Sequence, residues 1–237
     1  MSTFRFISGG SLIALLLAFT TSVQATSPSS AEAWLNNYYQ QPAPERFESA
    51  VFELSRSGYF EKPGTVPLAI GFLATVFAQN PERASQWMSV SRVLPVAHQR
   101  ILASALWYSG NAKGASHLRA LARSADPETK NEILALVSQT PDLRQTEVQS
   151  VSSLNLQWGA FLASGDTTPV RNILAALGTQ DSGQLSQNVR WSLAQNAVQH
   201  PRVLAICRDE LTRQPNEIRE TLRAVINDSE ARAQPSS

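Results

Sequence analysis

The chain has 237 residues, 43% of them hydrophobic, with 20 basic and 19 acidic side chains and a formal net charge of +1. That length suffices for one sizeable core or two small ones, and near-neutrality argues against nucleic acid or an anionic membrane as partner, because both draw on clustered positive charge. Cys207 is the only cysteine, so no intrachain disulfide forms and the core must hold by packing alone.

The first 25 residues follow the pattern of a secretory signal. Arg5 precedes the apolar run Leu12 to Phe19, and Val23-Gln24-Ala25 puts small residues where a signal peptidase cuts. The wider stretch Phe6 to Phe19 is interrupted at Ser8-Gly9-Gly10-Ser11 and is shorter than the roughly 20 apolar residues that cross a bilayer. Cleavage is expected after Ala25, giving a periplasmic or secreted protein with no stable membrane span. The expected organisation is a leader at 1–25, a short linker at 26–30, a single all-α domain at 31–228 divisible into halves 31–145 and 146–228, and a flexible tail at 229–237.

From residue 31 onward apolar side chains recur at helical spacing, and no alternating strand pattern appears. A first helix over 31–41 places Trp34 over Tyr38 and Leu35 over Tyr39. Pro44 opens a second, with the stripe Phe47, Val51 and Leu54, ended by Gly58 as its left-handed terminator. The loop Tyr59 to Gly64 is expected to fold back onto this pair. Pro67 starts the most apolar segment, Leu68 to Ala78, hydrophobic nearly all round and therefore central. Asn80-Pro81 is expected to cap the next helix, with Trp87, Met88 and Val90 as its apolar contacts. Pro95 begins another, which runs to Gly110. Further helices are expected over 112–124, 127–138 and 142–150, then one ending in Trp158-Gly-Ala-Phe-Leu-Ala-Ser164, then 169–177, 184–199, 201–213 and 215–228. The fold class is all-α, as irregular helical-hairpin repeats of TPR- or HEAT-like stacking or as a compact multi-helix domain.

Reactive motifs are sparse. Ser164-Gly165-Asp166 lies between two helical segments rather than in the strand-to-helix elbow of a serine hydrolase. It reads as a joint, with Gly165 ending one helix and Asp166, Thr167 or Thr168 capping the next. The histidines His98, His117 and His200 show no metal-ligand spacing, and there is neither a calcium loop nor a phosphate-binding loop, so no metal or cofactor is expected. Glu128 and Glu132, with Lys130 between them, read as a solvated helix face. Cys207 falls in register with Leu204 and Leu211 and reads as a small buried side chain. The candidates left for recognition are Trp158, Trp191, Asn196 and His200. Tryptophan dominates binding surfaces as well as cores, and a part-buried amide at Asn196 needs partners.

The stretches Phe161-Leu-Ala-Ser-Gly-Asp-Thr-Thr-Pro-Val-Arg-Asn-Ile-Leu174 and Trp191-Ser-Leu-Ala-Gln-Asn-Ala-Val-Gln-His-Pro-Arg-Val203, with Phe72 to Arg83, resemble an uncharacterised family of exported proteins of Gram-negative bacteria. The resemblance implies a helical, secreted protein without an assigned activity and transfers no catalytic residue. The expected function is an exported, non-enzymatic helical module that binds a protein or peptide in the cell envelope. Its rivals are an envelope- or host-directed hydrolase with a site assembled between helices, and a carrier of small apolar ligands.

Overall fold

The computed structural model describes residues 30–139, 142–178 and 183–233. The expected leader lies outside them. The described residues are all-α, with twelve α-helices, short 3-10 turns and no strand.

α1 (Ser30–Asn37) and α2 (Phe47–Arg56) form the first hairpin. The Trp34 and Tyr38 rings meet edge-on at 5.3 Å, and Trp34 Nε1 donates to Ala43 O at 3.0 Å, fixing the turn between the helices. Gly58 terminates the pair at φ 72°, a backbone conformation that costs glycine little. A 3-10 turn, Tyr59–Glu61, then folds back and buries both aromatics.

α3 (Thr65–Gln79) follows. Pro67 stands inside its first turn rather than at its first residue, where a missing N–H is still harmless. α4 (Ala84–Val90), α5 (Val96–Tyr108), α6 (Ala112–Ala122) and α7 (Pro127–Val137) complete one side. α8 (Val151–Ser164) and α9 (Thr167–Ala175) lead to α10 (Gly183–Gln199), α11 (Pro201–Glu210) and α12 (Asn216–Ala233).

α3 and α8 form the most extensive helix pair and lie at the centre. They approach backbone to backbone because each carries a glycine at the crossing. A Cβ on Gly159 would fall 2.7 Å from Phe72 N, and one on Gly71 would fall 2.8 Å from the Leu156 carbonyl carbon. α3 also packs on α5, and α10 packs on α12. One contiguous cluster of buried side chains runs from Ala31 to Ile226, and a smaller one joins Ala103, Trp107, Leu118, Ala122 and Ile133. The compact multi-helix alternative fits this architecture. Its central contact joins helices far apart in sequence, whereas a solenoid packs each repeat only on its neighbours.

Three expectations are corrected. Residues 142–150 do not form a helix. Asp142 Oδ1 instead accepts from the N–H groups of Arg144 and Gln145, and Gln157 on α8 donates to Leu143 O and Thr146 O, occupying carbonyls that a helix would use. Asn80 does not cap with its side chain, which reaches back to Val76 O at 2.9 Å. The flexible tail placed at 229–237 does not begin at Ser229. α12 continues to Ala233, with Ser229 buried and donating to Val225 O, and with an Arg232–Asp228 ion pair one turn apart. Residues 234–237 lie outside the described residues.

Candidate functional site

Ser164-Gly165-Asp166 is the joint its sequence suggests. Gly165 takes φ 66° and donates its N–H to Phe161 O, closing α8. Ser164 Oγ donates to Ala160 O and accepts from Asp166 N at 3.1 Å. With its hydroxyl engaged on backbone at both sides and no base bonded to it, Ser164 is not an activated nucleophile. Asp166 occupies the N-cap position of α9 yet makes no side-chain cap bond there.

That uncapped carboxylate borders a half-open cavity of about 570 Å³, within the size range of ligand pockets. α3 contributes Thr75 and Ala78, the end of α5 contributes Tyr108, the turn before α8 contributes Asp142 and Arg144, and the α8–α9 joint contributes Asp166, Thr167 and Thr168. Gln157 also lines it and is completely buried. Both Nε2 bonds of Gln157 go to carbonyls, at 3.0 Å to Leu143 O and 2.8 Å to Thr146 O. Its Oε1 therefore has no partner, and flipping the amide would set oxygen against two oxygens. A buried acceptor left unmet costs about 1–3 kcal/mol, so the position suits a donor from water or ligand.

Two charged side chains at the cavity are also without a counter-charge. Among the described residues, neither the Asp166 carboxylate nor the Arg144 guanidinium has an ion-pair partner. Burial raises the Tyr108 pKa, so its phenol stays protonated. The wall thus offers acceptors, donors, two carboxylates and one guanidinium, but no nucleophile with an adjacent base. Sequence reading missed this convergence because its parts lie on four separate segments.

One constellation elsewhere has the composition of a catalytic triad. His98 Nδ1 lies 2.8 Å from Ser55 Oγ and its Nε2 lies 3.0 Å from Glu61 Oε1. When Nε2–H donates to the carboxylate, Nδ1 is left to accept the hydroxyl proton. However, Ser55 is in the last turn of α2, at the negative end of the helix dipole, where a developing oxyanion is opposed rather than stabilised. The three side chains tie α2, the following 3-10 turn and α5 together and satisfy a buried imidazole.

The four sequence candidates do not form one surface. Trp158 is buried against Phe161, with Nε1 unpartnered. His200 is buried beside Tyr39 and Phe161, its Nδ1 3.4 Å from Tyr39 Oη, and burial lowers its pKa. Asn196 is part-buried and donates to Ser192 O on its own helix, a local tie rather than a groove floor. Trp191 alone is displayed, 68% exposed, with Val198 exposed two turns on. Cys207 is fully buried, and burial with the nearby Glu210 carboxylate pushes its pKa up to about 12, which keeps it an unreactive thiol. Burial opposes ionisation of Glu210, but hydrogen bonds from Arg171, Gln214 and Arg213 outweigh it and hold its pKa down. Of the paired carboxylates, Glu132 forms an ion pair with Arg100. Among the described residues, no three His, Cys, Asp or Glu side chains converge as a metal site, and no helix is long and apolar enough to cross a membrane.

Compared with protein-family models, curated proteins and solved structures, the chain matches none of them.

Proposed function

We propose that this protein is an exported, non-enzymatic binding module that takes a peptide segment into the cavity between α3, α8 and α9. The carrying observation is the buried Gln157 among the residues that line the cavity, its Nε2 bonded to two carbonyls and its Oε1 without a hydrogen-bond partner. A peptide presents N–H donors and carbonyl acceptors in alternation, which suits a wall that mixes Gln157, Asp142 and Asp166 with Arg144, Tyr108 and the threonines. The leader pattern supports export, and the resemblance to exported proteins of Gram-negative bacteria agrees with it.

Ala78 lines the cavity and is itself exposed, so Ala78→Trp should obstruct the mouth without strain. Wild type should retain a defined subset of peptides from a digest of envelope proteins, and Ala78→Trp should lose that subset at an unchanged melting temperature. Identical retention by both proteins would remove the cavity from the account.

A hydrolase is the second reading, favoured only by the Ser55–His98–Glu61 chain. Hydrolysis of activated esters abolished by Ser55→Ala would establish it. No turnover, or turnover indifferent to that change, would dismiss it.

A further inference from the structure

Net neutrality conceals a strong segregation of charge. From Arg83 to Ala125 the chain contains no Asp or Glu, yet it carries Arg83, Arg92, Arg100, Lys113, Arg119 and Arg123, with His98 and His117. This stretch spans α4, α5 and α6. Among the described residues, Arg83 meets Glu82, His98 meets Glu61 and Arg100 meets Glu132, each carboxylate lying outside the stretch. Among the described residues, Arg92, Lys113, Arg119 and Arg123 have no ion-pair partner.

Within this stretch lies a second half-open cavity, of about 370 Å³, between α4 and the α5–α6 hairpin. Met88, Ala103 and Leu106 form an apolar floor and are buried. Arg92 stands on one wall, Lys113 and His117 on the other, and no carboxylate lines it. Lys113 and His117 are four residues apart on α6 and so share a face. Lys113 Nζ reaches across to Ser85 Oγ at 3.1 Å, both residues lining the cavity. The wall is fixed in position, because Gly114 brings α6 onto the α5 backbone so closely that a Cβ there would lie 2.8 Å from the Leu106 carbonyl carbon.

We propose that this cavity binds a small anionic amphiphile, with an alkyl body on the Met88–Ala103–Leu106 floor and a carboxylate or phosphate head between Arg92 and Lys113. Charge alone would suit any anion. The floor adds the requirement for an apolar body, and the concave walls favour a single molecule over a flat lipid surface. The neighbouring turn exposes Val93 and Val96, which makes an anionic membrane the competing occupant that the experiment has to exclude. The peptide cavity and this one share no lining residue, so either can fail without the other.

Titration calorimetry on the intact protein with octyl phosphate and octanoate, against octylammonium and inorganic phosphate, tests the proposal. The two anionic amphiphiles should bind at least about tenfold more tightly than either control, a margin that one well-placed charge or a few buried methylenes supplies. Arg92→Glu with Lys113→Glu should remove that preference while leaving the melting temperature unchanged, since both side chains are exposed. Equal binding of octylammonium, or unchanged octyl phosphate binding by the charge-reversed protein, overturns the proposal. So does sedimentation with phosphatidylglycerol vesicles by a protein that takes up no octyl phosphate.

Discussion

Gly159→Ala probes the centre of the fold. The added methyl would sit 2.7 Å from Phe72 N and 2.9 Å from the Leu68 carbonyl carbon, where unstrained contacts begin near 3.5 Å. Backbone atoms cannot rotate away as a side-chain tip would, so α3 and α8 have to part by about 1 Å. A gap of that size forfeits roughly a quarter to a half of the dispersion energy across each affected contact. Overpacking of this kind costs about 1–3 kcal/mol, and the rigid obstacle puts it at the upper end. Alanine returns about 1 kcal/mol as the better helix former, leaving a net loss of about 2 kcal/mol. For a domain of this size that lowers the melting temperature by roughly 4–8 °C, measurable by circular dichroism at 222 nm. Gly71 meets the same crossing from the other side, so the double alanine variant should lose less than the two single losses combined. A Gly159→Ala protein that melts at or above wild type would refute the close crossing, because helix propensity alone predicts that rise.

Burial lowers the His200 pKa from its ordinary 6.5. The folded state therefore resists protonation more than the unfolded chain does, and stability is complete above pH 6.5 and lost as the pH falls below it. His200→Gln should flatten the fall in melting temperature between pH 7 and 5, and parallel curves for the two proteins would contradict the buried imidazole. Cys207 should ignore a thiol reagent at pH 8 in the native protein and react fully in guanidinium chloride, since its pKa is pushed up to about 12; rapid native labelling would show the thiol to be reachable. Trp158→Ala should cost about 3–5 kcal/mol as a core truncation, whereas Trp191→Ala, at 68% exposure, should stay within about 0.5 kcal/mol of wild type. Similar losses in denaturant melts would reverse those placements.

Punctuation carried most of what the sequence revealed. Gly58 and Gly165 adopt the left-handed conformation expected of helix terminators, and the nearly all-apolar α3 is central. Local chemistry decides such features, so local reading finds them. What escaped depends on partners distant in the chain. Residues 142–150 have the composition of a short helix, but Leu143 and Thr146 yield their carbonyls to Gln157, more than ten residues on. Trp158 and Trp191 are alike in sequence and opposite in burial, because exposure follows from which face of α8 or α10 meets a neighbour. The reciprocal role of Gly71 and Gly159 left one trace, a glycine in the middle of each of the two most apolar helices. Ser55, His98 and Glu61 belong to separate elements and left none.

Mapping by ¹⁵N-resolved NMR tests the binding-module reading most directly, with the protein titrated by peptides recovered from the digest. Shift changes should centre on the Gln157 side-chain amide, Tyr108, Asp166, Thr167 and Thr168, and the peptide should remain intact throughout. Changes centred on Trp191 with the cavity residues unmoved, or cleavage of the peptide during the titration, would contradict a non-catalytic module that binds between α3, α8 and α9.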